Sequence, residues 1–302
     1  MSAELVIDGW ASWGRIFQSQ EVFAPMIREI CLRHNLPEGT IGSCTPGTNA
    51  VFRVGADIFK IFAPAESGIE PNDAELWGMI HAGKTGVPVA KIRASGVLEH
   101  KYSFPYIVME YVDGEEGGDA LPHLPPDQRI QFAQLLRDHV ANMNIPVNAP
   151  EYMHVYAGNA RTNGRWEPFP KLKDAVEDAV RRADRAEQVF VHGDLTAENV
   201  LVGPDGRPRI LDFGDCQIAP AYYEWMPLVF DLFRCDPVLL DAWFGPDRGP
   251  DFCETLTTAV LVHDFGGGFV RDLCMKFGLD PAELAGREAL RDLIVCAIES
   301  GR

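Results

Sequence analysis

Val191-His192-Gly193-Asp194-Leu195-Thr196-Ala197-Glu198-Asn199-Val200-Leu201, followed by Ile210-Leu211-Asp212-Phe213-Gly214-Asp215, is the stretch whose reading decides the fold. The polar residues lie between apolar Val189-Phe190-Val191 and Val200-Leu201-Val202, so a loop held by two short strands is expected. Gly203-Pro204-Asp205-Gly206 predicts a hairpin that brings Asn199 beside Asp212. An amide oxygen and a carboxylate suit magnesium, which keeps several waters and takes the rest of its shell from phosphate oxygens. Asp194, five residues before Asn199, is the matching candidate base for the proton of a hydroxyl undergoing in-line phosphoryl transfer. An isolated Gly-Asp pair more often shapes a turn. With Asn199 and Asp212 in place, the phosphoryl-transfer reading is the stronger one. Asp215 is balanced between a water-bridged metal ligand and a loop-ordering carboxylate.

Upstream, Ile58-Phe59-Lys60-Ile61-Phe62 sets a lysine among apolar neighbours, on the same strand face as Ile58 and Phe62. A solvated lysine on a half-buried strand is the ordinary explanation. The downstream motif favours a lysine that binds nucleotide phosphates and pairs with Glu75 on the following helix. Tyr106 to Gly114 reads as a strand running into a turn, where the Glu110 carbonyl and the Val112 amide would face a purine edge and Met109 would pack nearby. Pro46-Gly47-Thr48-Asn49 lacks the GxGxxG pattern, and no GxxxxGK[ST] occurs anywhere, which excludes a Walker-type loop. Thr48 and the amides around it remain candidates for contact with the terminal phosphates.

The order of elements fits this division of labour. Apolar spacing predicts a helix over 20–36 that Pro37 ends, three strands over 40–44, 50–54 and 57–62, a helix over 72–82, and strands over 87–97 and 104–112. Asp113-Gly114-Glu115-Glu116-Gly117-Gly118 is polar and glycine-rich and is read as the boundary between two lobes. Beyond it the pattern is helical, over 126–143, 171–186, 223–233, 237–244, 251–264, 269–277 and 281–299, with Asp280 as the expected cap of the last helix.

Composition bounds the partners. With 27 basic against 44 acidic residues the net charge is -17, which opposes nucleic acid and anionic membranes and suits a cationic ligand; solubility alone would also account for it. The seven cysteines show no CxxC pair and no metal-ligand spacing, so reduced thiols in a cytoplasmic protein are expected. Glu4 and Asp8 stand where a signal peptide would carry basic residues, and no apolar run is long enough to span a bilayer.

With these residues in place, the chain resembles the aminoglycoside phosphotransferase and choline-kinase-like branch of the protein-kinase fold. HGDLTAENVL with ILDFGD carries the likeness, and TNAVFRVGADIFKIF, VPVAKI and PYIVMEYVDG extend it over nearly the whole chain. FVHGDL, FRCDPVLLDAWFG and Leu261-Val262-His263-Asp264-Phe265 are similar to the hygromycin phosphotransferases. The resemblance implies a two-lobed α+β fold, with a small antiparallel-sheet N-lobe over 1–113 and a mainly helical C-lobe over 114–302. It implies ATP or GTP with Mg2+, Asp194 as base, Asn199 and Asp212 as metal ligands, and Lys60 as phosphate ligand. The implied activity is O-phosphorylation of an aminoglycoside-type antibiotic, hygromycin-like first, by a monomeric cytoplasmic resistance enzyme. A metabolic kinase for another hydroxylated molecule is the alternative, and a nucleotide-binding pseudokinase a more distant one.

In such kinases carboxylates of the helical lobe bind the polycationic acceptor, which makes Asp231, Asp236 and Asp264 candidates by position, weighed against surface acids and helix caps. Trp225 and Trp243 are read as core in preference to sugar-stacking residues. Two departures stand out: Tyr222-Tyr223-Glu224 puts a glutamate where the family's loop-bracing aspartate is usual, and Met143-Asn144 replaces its Leu-His.

Overall fold

The computed structural model describes residues 6–45, 47–67, 74–150, 164–249 and 251–301. Pro46 of the expected phosphate loop and the expected helix start at Asn72 lie outside them. The chain forms two compact units, Met1–Leu76 with Ala90–Asp113, and Trp77–Val89 with Gly114–Arg302.

The first unit is an antiparallel sheet packed on a helix. After a short helix α1 (Trp10–Trp13), α2 (Gln20–His34) starts at Ser19, whose hydroxyl accepts the Val22 N–H. It stops two residues before the expected Pro37, because Asn35 takes a left-handed conformation with φ 53° and closes the last turn. Strands β1 (Ile41–Ser43), β2 (Ala50–Val54), β3 (Asp57–Ile61), β4 (Ile92–Glu99) and β5 (Ser103–Glu110) form one sheet in the order β1-β2-β3-β5-β4. Alternation in β2 buries Ala50, Phe52 and Val54, which join Phe23, Ile27 and Ile30 of α2 in the core of this unit. The strand expected from residue 87 begins only at Ile92. Before it, the Val87 amide bonds to Ala82 O and completes the exit from α3 (Ala74–Lys84) instead of entering the sheet.

The second unit carries the hairpin of β8 (Val200–Val202) and β9 (Pro208–Ile210), with Val200 opposite Ile210, and β7 (Val189–Val191) paired to β10 (Gln217–Ala219). Around these pack α4 (Gly117–Ala120), α5 (Pro126–Met143), α6 (Lys173–Ala183), a turn of helix α7 (Trp225–Pro227), α8 (Pro237–Phe244), α9 (Phe252–Val262), α10 (Gly266–Phe277) and α11 (Gly286–Ser300).

The glycine-rich segment read as a boundary is built into this unit from Gly114 onward. Glu115–Glu116 forms strand β6 against β8, and Gly117 sits so close to the hairpin that an added Cβ would lie 2.6 Å from Leu232 Cδ1 and 2.7 Å from Val200 O. Its glycines serve close packing, which composition alone does not separate from linker flexibility.

Two expected helices are broken. Residues 223–233 become a 3-10 turn over Ala221–Glu224, α7, and a π-helical turn over Leu228–Leu232. Asp280 caps only a 3-10 turn, Pro281–Glu283, and α11 starts afresh at Gly286, where φ is 76°. Among the described residues no helix is long and apolar enough to cross a membrane.

Candidate active site

Asp194 lies between buried strand β7 and the β8–β9 hairpin. Asn199 Nδ2 donates to the Asp194 carbonyl at 3.0 Å and to its Oδ2 at 2.7 Å. Both bonds use the amide nitrogen, so the Asn199 carbonyl oxygen is the atom left to a cation. The Leu211 amide bonds to Asn199 O at 2.8 Å, which extends the hairpin by one step and sets Asp212 beside Asn199. Asp212 is exposed and adopts φ 53°, with its Oδ1 accepting the Gly214 N–H at 3.2 Å in a local turn.

The loop is fixed from several sides. Gly193 has φ 83°, and a Cβ there would overlap the Asp215 carbonyl oxygen, so the segment carrying Asp194 runs directly against the one carrying Asp212 and Asp215. His192 is fully buried: its Nδ1 accepts the Asp194 N–H at 3.2 Å, so its proton is on Nε2 and is donated to Leu211 O at 2.8 Å. Glu224, the departure noted in sequence, also faces this loop. Both Glu224 carboxylate oxygens are used, Oε1 accepting the His192 amide at 2.6 Å and Oε2 the Gly193 amide at 3.1 Å. A glutamate thus makes the bracing contacts, and burial raises its pKa to about 7 against those two amide bonds.

Burial also raises the Asp194 carboxyl, to about 7, and the neighbouring charges of Asp215, Asp212 and Asp231 push in the same direction. Oxygen ligands in an excess of negative charge are the chemistry a hard divalent cation requires, so Asn199 and Asp212 fit magnesium completed by phosphate oxygens. Among the described residues no group of three or more His, Cys, Asp or Glu forms a metal cage. A site that takes the rest of its ligands from substrate does not need one.

Asp194 lines a pocket of about 610 Å³ within the second unit. Its walls include Thr196, Phe230 and Asp231 of the π-helical turn, Phe265 just before α10, and Phe269 and Asp272 within α10. The Phe230 and Phe269 rings lie 4.4 Å apart. Asp231 also accepts the Ala197 amide through Oδ1 at 2.6 Å, tying the wall to the loop three residues past Asp194.

The other acceptor candidates sit differently. Asp236 caps α8 through the Val238 and Leu239 amides and forms an ion pair with Arg129, the helix-cap role weighed against acceptor binding for this residue. Asp264 donates its amide to Tyr223 Oη at 3.1 Å and is not part of the pocket wall. Trp243 is buried against Phe233, and Trp225 packs on Phe244 and Phe252.

In the first unit Lys60 is only 5% exposed, and its ammonium meets both oxygens of Glu75, at 2.8 and 2.7 Å. Thr48 accepts the indole N–H of Trp13 through its carbonyl at 2.7 Å, and its hydroxyl lies 3.5 Å from Asn49 Nδ2. Met109 and Glu110 end β5, the Glu110 amide bonding to Lys91 O at 2.9 Å, and Val112 follows outside the strand.

Compared with known families, residues 48–255 match the model described as the phosphotransferase enzyme family, well over half of the chain. The chain belongs to that family. It is accordingly a phosphotransferase. No curated protein matches by sequence. Among solved structures, a GDP complex of aminoglycoside 2'-phosphotransferase-IIIa is similar at 16% identity and TM-score 0.60, covering 94% of this chain and 100% of that one. A GDP and kanamycin complex of the phosphotransferase APH(2") covers 91% and 97%, at 17% identity and TM-score 0.59. Choline kinase LicA from Streptococcus pneumoniae covers 92% and 98%, at 13% identity and TM-score 0.56. At these identities the likeness is one of fold, the kinase-like α+β arrangement of the phosphotransferase family.

Two contributors to the site had no assigned role in sequence: His263, whose side chain reaches Gly193 O, and the aromatic wall of Phe230 and Phe269. The signals for the first were a histidine closing the apolar run Leu261-Val262 and its place in a stretch that carries the family resemblance. The second depends on a π-turn that helical spacing does not announce.

Proposed function

We propose that this phosphotransferase moves the γ-phosphoryl group of ATP, or alternatively GTP, to a hydroxyl of a small hydroxylated acceptor. Aminoglycoside-type antibiotics come first, a hygromycin-like one among them, which would make the protein a resistance enzyme. The observation that carries the reading is Asp194, hydrogen-bonded to Asn199, facing a pocket large enough for a small molecule. In this scheme the acceptor hydroxyl sits in that pocket and gives its proton to Asp194 as its oxygen forms the new P–O bond. The bond from the γ-phosphorus to the bridging oxygen breaks, and the nucleoside diphosphate leaves.

Asn199 and Asp212 would hold magnesium, which when bound offsets charge on the phosphates. Lys60, held by Glu75, binds phosphate, and Thr48 with its neighbouring amides assists. The Glu110 carbonyl and Val112 amide receive the purine beside Met109. Nucleotide recognition is thus assigned to residues 1–113 and chemistry with acceptor binding to 114–302. Of the three acidic acceptor candidates, Asp231 is best supported, because it lines the pocket with Asp194.

A metabolic kinase is the second reading, favoured by the mixed wall of Phe230, Phe265 and Phe269, which would suit an acceptor with an apolar face. A panel of aminoglycosides and small alcohols assayed for magnesium-dependent nucleotide consumption separates the two. Turnover on hygromycin-type or related aminoglycosides, lost in Asp194→Ala, supports the first. Turnover on alcohols alone supports the second, and nucleotide binding with no acceptor turned over contradicts both.

A further inference from the structure

Glu224 holds the loop before Asp194 through its amides, while the Gly193 carbonyl is held separately. His263, which follows α9, is fully buried, with Nε2 3.0 Å from Gly193 O and Nδ1 accepting the Phe265 amide at 3.2 Å. A neutral imidazole cannot accept at a nitrogen that carries its proton, so the proton is on Nε2 and is donated to the Gly193 carbonyl. Burial lowers the His263 pKa to about 3, which keeps this tautomer uncharged near neutral pH. Its ring stacks on Tyr223 with centroids 4.3 Å apart, and the Tyr223 hydroxyl in turn accepts the Asp264 N–H. Residues 263–265 therefore form a tight corner fixed on both sides. Phe265 at the end of that corner, and Gly267, Gly268 and Phe269 immediately beyond it, line the pocket that Asp194 faces.

We propose that His263 is a positioning residue that fixes the Gly193–Asp194 backbone and ties it to the pocket wall at the start of α10, so that the acceptor and Asp194 are aligned by one corner of the chain. The inference rests on Asp194 acting as the base. Without the donated hydrogen bond the Gly193 carbonyl is released, the adjoining peptide can rotate, and the Asp194 carboxylate drifts from the acceptor hydroxyl. Misplacement on that scale costs about 10–100-fold in rate without a change in nucleotide binding.

The test compares His263→Leu, which fills the space but donates nothing, with His263→Gln, whose side-chain amide can donate from near the Nε2 position. For an acceptor found with the wild type, kcat is expected to fall about 10–100-fold in the Leu variant, with nucleotide KM unchanged and most of the loss recovered in the Gln variant. Wild-type kcat in the Leu variant, or equal losses in both, would overturn the proposal. Amide hydrogen exchange over residues 193–197 gives a readout that needs no acceptor. Faster exchange there in the Leu variant, with the Gln variant and the amides of α5 protected as in wild type, supports the brace, and equal exchange in both variants refutes it. If the Leu variant does not fold, Tyr223→Phe loosens the same corner and is expected to raise exchange at 193–197, while unaltered exchange there counts against the brace. If the wild type phosphorylates no acceptor, the functional reading fails and the exchange data alone decide the fate of the brace.

Discussion

At the scale of single residues, Asp194 is surrounded by groups whose chemistry is set by where the backbone puts them. His192, Glu224 and His263 spend their polar atoms on backbone groups, the Asp194 amide among them, which orients Asp194 through the main chain. Asp194, Asn199 and Asp212 were legible in sequence because each is a chemically specific residue at a fixed spacing within a hairpin. His263 was not, since its contact with Gly193 spans 70 residues and no local pattern encodes a contact of that range. Its burial makes a separate prediction. The native pKa near 3 lies below the ordinary 6.5, so between those values the unfolded chain binds a proton that the native chain does not. The stability that His263 contributes is therefore fully present above about pH 6.5 and is lost progressively as pH falls toward 3. Because the raised Asp194 and Glu224 carboxyls act in the opposite direction in both proteins, urea unfolding at a series of pH values is expected to show the His263 contribution as a difference: between about pH 6.5 and 3 the proton uptake on unfolding is larger in the wild type than in His263→Gln by up to about one proton.

At the scale of elements, regular pieces followed their periodicity and irregular ones did not. Strand β2 and helices α5 and α8 fall where the apolar spacing sets them, because each buries one face against a neighbouring layer. The π-turn over Leu228–Leu232 escaped that logic; one extra residue in the turn carries Phe230 and Asp231 to the pocket, a displacement that 3.6-residue spacing cannot express. The glycine-rich segment after Asp113 lies where the two compact units meet in sequence, and its composition did not reveal that Gly117 is required by the approach of Leu232 and the Val200 carbonyl. Gly117→Ala is expected to lower stability by about 1–3 kcal/mol, measured as a fall in thermal midpoint, because a rigid backbone oxygen stands in the way. Gly206→Ala serves as the contrast: an added Cβ there meets nothing within 4 Å, so any loss comes from its φ of 73° alone.

At the scale of the whole molecule, the kinase-like fold divides an antiparallel sheet carrying a buried Lys60–Glu75 pair from a helical unit carrying Asp194 and its pocket. Family membership fixes the reaction type, and the acceptor is decided by the pocket and by the field around it. A net charge of -17 draws cations from a distance, and salt screens that attraction. For a cationic acceptor, KM is expected to rise as salt is increased from about 10 mM to 150 mM, with KM for a neutral alcohol unchanged; steady-state kinetics at several ionic strengths checks this.

The most direct measurement is single-turnover transfer of the γ-phosphoryl group to an acceptor by the wild type and by Asp194→Asn, with magnesium–ADP affinity measured on both. Transfer is expected to fall by about 10²–10⁴-fold in the variant while nucleotide affinity stays within a few-fold of wild type. Transfer by Asp194→Asn at the wild-type rate would contradict the account of this site.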